Sequence, residues 1–222
     1  MQSTSALAAS PLFESISTEN LSAMTACLGA KTAEYQKNAA IFSEGDPASK
    51  IGVVLSGRVQ ITRTDFYGNR SIMMTIGPGE LFGEAFACAD VDSLPVGIIA
   101  AENSTVMLLD CRRIMKTCSN ACEFHNQLIY NLLKIVSMKN LALHRKAEIT
   151  SRRTTREKVL TYLLQQAKLS GSSRFIIPFD RQALADYLEV DRSGLSAVLG
   201  SLKKQGIIDF YKNSFSLLKN DP

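Results

Sequence analysis

Apolar residues along this 222-residue chain follow three successive rhythms. From Pro11 to Leu28 the spacing of Leu12, Phe13, Ile16, Leu21, Met24 and Leu28 predicts one or two short helices, with Ser17 or Thr18 as the cap. From Thr32 to Asp110 the rhythm shortens to β-prone runs separated by Gly, Pro, Asn and Asp. Strands are predicted over Ala33–Tyr35, Ala40–Phe42, Ile51–Leu55, Arg58–Thr64, Ser71–Ile76, Val96–Ala101 and Thr105–Leu109. The turns fall at Gly45-Asp46-Pro47, Ser56-Gly57, Tyr67-Gly68-Asn69 and Gly77-Pro78-Gly79. So many short strands at this spacing predict a barrel or roll. Beyond residue 111 the helical period returns and holds to the end of the helix-rich half.

A short helix is predicted to begin at Arg112-Arg113-Ile114-Met115, and a long one from Ala121 to about residue 148. Along the long helix Ile129, Leu133, Val136, Asn140, Leu143 and Ala147 recur at gaps of 4, 3, 4, 3 and 4. That is a heptad seam with one polar insertion, and a single Asn in such a seam fixes register and oligomer state. The seam predicts a parallel homodimer interface at Ile129, Leu133, Val136, Asn140 and Leu143; packing of the same face on the chain's own roll is the alternative.

After a polar hinge at 149–153, a helix is predicted over Thr155–Lys168, broken at Leu169-Ser170-Gly171. A short extended piece, Phe175-Ile176-Ile177-Pro178, then leads to Asp180–Lys204. There Asp180 is a good N-cap, Leu184 and Leu188 share a face with small Ala185 between them, and Glu189-Val190 make a turn. Asp191 caps a second helix whose stripe Leu195, Val198, Leu199 and Leu202 leaves Arg192, Ser193, Ser196, Ala197 and Lys203 pointing outward. This is the pattern of a helix-turn-helix, although two amphipathic helices with a short connection also occur in ordinary bundles. The flank favours the former: Gly206 ends the helix, and two β-prone runs around Lys212-Asn213-Ser214 look like the hairpin of a winged helix.

Charge sharpens the division. The net charge is +4, yet residues 145–222 hold 14 Lys and Arg against 8 Asp and Glu, and residues 1–144 hold 11 against 13. A basic C-terminal module on a slightly acidic body fits a polyanionic partner at one end. No apolar run is long enough to span a membrane and no secretory signal is evident, so a cytoplasmic location is expected. The five cysteines form no disulfide pattern. Cys111, Cys118 and Cys122, with His125 nearby, match no zinc spacing and are expected to be reduced structural thiols; no metal site and no cofactor is assigned. Nucleophile-base pairs, P-loops and HExxH spacings are absent from the sequence, which argues against an enzyme and leaves no catalytic residue to assign.

The order of elements and several motifs resemble the cyclic-AMP receptor protein and fumarate-nitrate regulator (Crp-Fnr) family of bacterial transcription factors over nearly the full length. Ile41-Phe42-Ser43-Glu44-Gly45-Asp46 is similar to the family's I-x-x-x-G-D turn, and Val53-Val54-Leu55-Ser56-Gly57-Arg58-Val59 to its V-L-x-G-x-V hairpin. Gly79-Glu80-Leu81-Phe82-Gly83-Glu84 is similar to its G-x-x-x-G-E ligand signature, and Asp186 to Ser193 to its turn and the start of the recognition helix.

The resemblance implies an α+β architecture. A cyclic-nucleotide-binding-like β-roll (a double-stranded β-helix or jelly roll) with flanking helices and the dimerisation helix takes 1–148, and a winged helix-turn-helix takes 149–222. It also implies an effector pocket around Phe82, Gly83, Glu84, Pro95 and Val96. Cyclic-nucleotide binders of the family follow the Gly-Glu pair with an Arg-Ser or Arg-Thr that holds the cyclic phosphate. Here that Arg position falls on or near Pro95, and each lost charge-assisted bond is worth roughly 1.5 to 3 kcal/mol, so tight binding of cyclic AMP is not expected. Cys27 is the only cysteine in the first 87 residues, which excludes the family's iron-sulfur cluster. For a haem ligand only His125 and His144 are present, and both are expected to be exposed or interfacial.

At the other end the resemblance places Arg181 on a phosphate and Arg192 on a guanine edge, with Gln182, Asp191, Ser193, Ser196, Ala197 and Lys203 around them. Ser193 and Ala197 depart from the family's usual Glu and Arg, and Glu189 replaces the usual turn Gly. The expectation is a homodimeric, sequence-specific DNA-binding regulator of a palindromic operator, controlled at the roll by an unidentified small-molecule or redox effector. RNA polymerase would be a further partner of an activator. A ligand-responsive adaptor that uses the winged helix for protein contacts is the alternative.

Overall fold

The computed structural model describes residues 7, 9–64, 66, 70–116 and 123–218. The turn at Tyr67-Gly68-Asn69, Cys118, Cys122, the proposed helix start at Ala121 and most of the first ten residues lie outside that set. The chain forms two compact units, Met1–Met138 and Lys139–Pro222.

In the first unit a single 3-10 turn at Pro11–Phe13 precedes helix α1 (Thr18–Cys27), for which Ser17 is the N-cap residue. Eight strands follow: β1 (Lys31–Tyr35), β2 (Ala40–Phe42), β3 (Lys50–Ser56), β4 (Val59–Thr64), β5 (Arg70–Ile76), β6 (Leu81–Phe82), β7 (Gly97–Ala100) and β8 (Ser104–Asp110). They make two four-stranded antiparallel sheets, ordered β1-β8-β3-β6 and β2-β7-β4-β5. Two elements were not foreseen from the sequence, the two-residue strand β6 and helix α2 (Glu84–Cys88) behind it. Both are too short to show a period, and tertiary pairing rather than local propensity makes them.

The alternation along β3 explains why Ile51 to Leu55 is an unbroken apolar run. Ile51, Val53 and Leu55 join the cluster with Leu12, Phe13, Leu21, Leu28, Leu128 and Leu132, between the sheet and the helices. Val54 faces the other way, into the cluster of Ile41, Val59, Ile76, Phe82, Ile98 and Val106 inside the roll. Strand β8 divides likewise, Val106 and Leu108 inward and Met107 and Leu109 outward. A strand buried on both faces shows no polar alternation.

Helix α3 (Cys111–Met115) begins directly after β8, capped by Asp110, which accepts the Arg112 N–H at 3.0 Å. The long helix α4 (Glu123–Thr150) then presents Leu128 and Leu132 to the first core. Asn131, buried on the same side, donates to the carbonyls of Leu12 (3.0 Å) and Glu14 (2.8 Å), pinning the N-terminal segment. His125, expected to be exposed or interfacial, is instead buried: its Nε2–H donates to the Ile114 carbonyl at 2.8 Å, while His144 is exposed. A ring flanked by the apolar roll-facing positions of a helix is drawn in once one nitrogen finds a carbonyl.

In the second unit the end of α4 packs through Ile149 against helix α5 (Thr155–Ser170) and the rest of that core. This is why the division falls inside α4 rather than after it. Thr154 and Glu157 form a reciprocal capping box at the start of α5, and Gly171 closes its end in the left-handed region. Strand β9 (Arg174–Ile176), helix α6 (Arg181–Leu188), helix α7 (Arg192–Lys204) and strands β10 (Ile208–Tyr211) and β11 (Ser214–Leu217) complete a winged helix, with strand order β10-β11-β9.

Gly52 faces Phe82 across the β3–β6 pair, and a Cβ at Gly52 would sit 2.0 Å from Phe82 Cζ. Gly52→Ala is therefore expected to destabilise the protein by about 1 to 3 kcal/mol through overpacking, read as a fall in the urea midpoint at unchanged m-value. An unchanged midpoint would mean that the ring does not rest on this glycine.

Candidate nucleic-acid interface and effector pocket

Helices α6 and α7 are set by their caps. Asp180 Oδ1 accepts the Ala183 N–H at 2.8 Å, and Asp191 Oδ1 accepts the Gly194 N–H at 2.7 Å. Ser193 Oγ also donates to Asp191 Oδ1 at 2.5 Å, and that hydroxyl, followed by the Gly194 amide, holds the Asp191 carboxyl below its ordinary pKa. A Cβ at Gly194 would lie 2.6 Å from Asp191 Oδ2, so the cap needs glycine three residues on. Each such cap contributes about 1 kcal/mol.

Between the helices Glu189 adopts φ 55°, ψ 53°, a left-handed conformation that costs a non-glycine residue about 1 kcal/mol. Two lysines offset that cost. Lys158 of α5 donates to the carbonyls of Leu188 (3.2 Å) and Glu189 (3.3 Å), serving the C-terminus of α6, where a cation is favoured. Lys146 of α4 lies 3.7 Å from Glu189 Oε1 and over the Tyr187 ring at 5.5 Å. Neither lysine is near the turn in sequence, so the spacing around Glu189 points to neither.

The apolar stripe of α7 is buried at Leu195, Leu199 and Leu202, and Arg192, Ser193, Ser196, Ala197 and Lys203 are all exposed. They differ in what they are free to do. Ser193 serves the cap, and Ser196 Oγ donates to the Arg192 carbonyl at 2.9 Å. Gln182 donates to Asp186 Oδ1 at 2.8 Å on the exposed side of α6. Lys203 is tied to the wing: it bonds Asp209 Oδ1 at 2.5 Å and the Phe210 carbonyl at 3.4 Å, and lies 5.3 Å from the Phe210 ring centre.

Arg181 also lies over the Phe210 ring, its guanidinium carbon 5.0 Å from the ring centre. Partial burial, with the Arg192 charge nearby, lowers the Arg181 guanidinium pKa from its ordinary value. Arg192 itself has no ion pair or side-chain hydrogen bond among the described residues. The structure thus brings Arg181 and Arg192 within electrostatic reach of one another at the first turns of two helices.

In the roll, Phe82 is fully buried within the inner cluster, its ring centre 6.4 Å from that of Phe42. Gly83 (φ +79°) starts α2 in the left-handed region, and a Cβ there would lie 3.0 Å from the Lys50 carbonyl. Glu84 and Val96 are each 4% exposed, whereas Pro95 is exposed. Leu94 beside it is buried and locked to the Gly45-Asp46 turn, its N–H donating to the Asp46 carbonyl (2.8 Å) and its carbonyl accepting the Gly45 N–H (2.9 Å). No cation occupies positions 93–97. A cavity of about 150 Å³ lies elsewhere, lined by residues 47–49, 87, 90–92 and 111–112, and none of the five effector-pocket residues borders it.

Comparison with known proteins agrees with this layout. Residues 32–120 match the cyclic nucleotide-binding domain, and residues 157–220 match the Crp-like helix-turn-helix domain. The cyclic AMP receptor protein of Thermus thermophilus is 23% identical over 202 residues, which is 90% of this chain and 88% of that protein. The nitrogen fixation regulation protein FixK of Rhizobium meliloti is 27% identical over 177 residues, 79% of this chain and 77% of that one. Among solved structures, FixK2 from Bradyrhizobium japonicum superposes with a TM-score of 0.54 at 23% identity, covering 86% of this chain and 93% of its own. With a roll that matches the cyclic nucleotide-binding domain, a long helix and a Crp-like helix-turn-helix domain in that order, the chain belongs to the Crp-Fnr family of transcription regulators.

Proposed function

We propose that this protein is a homodimeric, sequence-specific DNA-binding regulator, controlled at its roll by a small-molecule or redox signal other than cyclic AMP. The observation that carries this reading is Arg192, exposed and uncommitted on the first turn of a capped second helix. A guanidinium in that position is suited to bidentate hydrogen bonding with guanine O6 and N7 in the major groove. Arg181, partly buried against Phe210, is the complementary phosphate contact, and Gln182, Asp191, Ser193, Ser196, Ala197 and Lys203 surround the two. In this reading residues 1–148 sense and pair, residues 149–222 read DNA, and the protein works in the cytoplasm.

Dimerisation is supported by α4. Leu133 and Leu143 of the heptad seam are 63% and 58% exposed in the single chain, and Tyr130, one turn before Leu133, borders the same face. Ile129 and Val136 are half-buried and Asn140 is exposed. Burying a leucine side chain contributes about 1.5 to 3 kcal/mol, so a face of this size on a second copy is a substantial driving force. The two reading heads would then meet half-sites about one helical turn apart.

A signal other than cyclic AMP is supported by the locked Leu94-Pro95 segment, which carries no cation for a phosphate. The Thermus thermophilus relative bears the name cyclic AMP receptor protein; this chain shares its roll without the arginine that the family's nucleotide binders use.

Arg192→Ala should weaken binding to a duplex selected from a randomised pool by about 1 to 3 kcal/mol and relax preference at one base pair. Unchanged affinity in a gel-shift titration would overturn the assignment of α7. Leu133→Glu with Leu143→Glu should convert a dimer into a monomer by sedimentation at micromolar concentration; a dimer that persists would place the interface elsewhere. For cyclic AMP no rise in melting temperature is expected, whereas ligand at a thousandfold excess over its Kd would stabilise by about 4 kcal/mol.

A further inference from the structure

Three cysteines among the described residues are free, with Cys27 exposed, Cys88 half-buried and Cys111 buried. Sequence spacing grouped Cys111 with Cys118 and Cys122, but the fold gives it a different neighbour. Cys88 ends α2 and Cys111 begins α3, and their sulfurs lie 3.8 Å apart, within hydrogen-bonding distance for sulfur. Cys111 also lines the cavity of about 150 Å³, together with Ala87, Asp90 and Arg112. That volume is several times the share of one water molecule in the liquid, about 30 Å³, so a molecule the size of hydrogen peroxide fits beside Cys111. Cys88 does not border the cavity but is only half-buried.

The two thiols are also chemically unequal. The hydrogen bond from Cys111 pulls the Cys88 thiol below its ordinary pKa, against the opposing effects of burial and Glu84. The same bond, then burial, pushes Cys111 up. Such a pair divides into an attacking sulfur and a resolving one.

We propose that Cys88 and Cys111 form an oxidisable dithiol site whose substrate is a hydroperoxide, and that closing the disulfide changes the protein's affinity for its DNA. The second half rests on the DNA-binding reading above. In the first step the Cys88 thiolate attacks one peroxide oxygen. The O–O bond breaks, and the departing oxygen takes up a proton to leave as water or an alcohol, so that Cys88 becomes a sulfenic acid. In the second step the Cys111 sulfur attacks the Cys88 sulfur, the S–O bond breaks, and hydroxide leaves with the Cys111 proton as water. Two electrons pass from the two thiols to the peroxide.

Closing the bond brings the sulfurs from 3.8 Å to about 2.05 Å. The displacement falls between two elements that matter. Helix α2 starts at Gly83-Glu84, the ligand signature, and α3 holds His125 of α4 through the Ile114 carbonyl.

The test uses the reduced full-length protein, treated with one equivalent of hydrogen peroxide, alkylated and peptide-mapped. A linked Cys88–Cys111 peptide is expected, with Cys27 still alkylated. A gel shift on a duplex selected from a randomised pool by the reduced protein should change by about fivefold or more. The change should be reversed by dithiothreitol and be absent in Cys88→Ser, and a thermal melt should show that this variant is folded. Oxidation at other cysteines, or Cys88 found as sulfinic acid without a linked peptide, overturns the proposal, as does a linked peptide with unchanged affinity. If the reduced protein selects no duplex at all, the DNA-binding reading fails, and the peptide map still decides the dithiol site alone.

Discussion

The N-terminal roll of this molecule depends on a strand that is covered on both faces. Strand β3 sends Ile51, Val53 and Leu55 to the helices and Gly52 and Val54 to the interior of the roll. One segment therefore belongs to two cores, and the helix-packed face and the roll interior cannot be assembled independently. Strand β8, its hydrogen-bonded neighbour, repeats the arrangement with Met107 and Leu109 on one side and Val106 and Leu108 on the other. The pocket signature inherits this constraint, because β6 pairs with β3 and delivers Phe82 into the interior and Gly83-Glu84 to the start of α2.

The reading head meets a different demand, that of presenting charge without wasting it. Asp180 and Asp191 satisfy helix starts, Lys158 satisfies a helix end, and Lys203 and Asp209 neutralise one another at the wing. Exposed salt bridges of that kind contribute little stability. Their effect is selective: charges engaged within the fold are poor candidates for a polyanion, and Arg192 stands out because it is not engaged. Family resemblance alone would rank Lys203 beside Arg192; its partners separate the two.

How much of this was legible in the sequence varied with the cause of each feature. Both caps of the helix-turn-helix, the turn at Glu189-Val190 and the wing could be read directly, because capping and amphipathic spacing are local. Seven strands of the roll were legible through Gly and Pro punctuation. Strand β6 and helix α2 were not, since two and five residues carry no period, and they exist because β3 and the αL backbone at Gly83 place them. His125 was expected to be exposed or interfacial on the long helix, yet a carbonyl eleven residues earlier draws it inside. The Cys88–Cys111 contact was hidden for the same reason: proximity across 23 positions is a property of the roll and not of spacing.

The glycine at position 52 and the phenylalanine at position 82 occupy what amounts to a single volume, one residue surrendering its side chain so that the end of the other's ring can reach the backbone. Evolutionary drift at the two sites is consequently tied together. A descendant that acquires a methyl or larger group on β3 must lose the ring on β6, and doing so would open space in the roll interior next to the Gly-Glu signature. The shape of the roll interior can therefore change in two linked steps, at position 52 and at position 82.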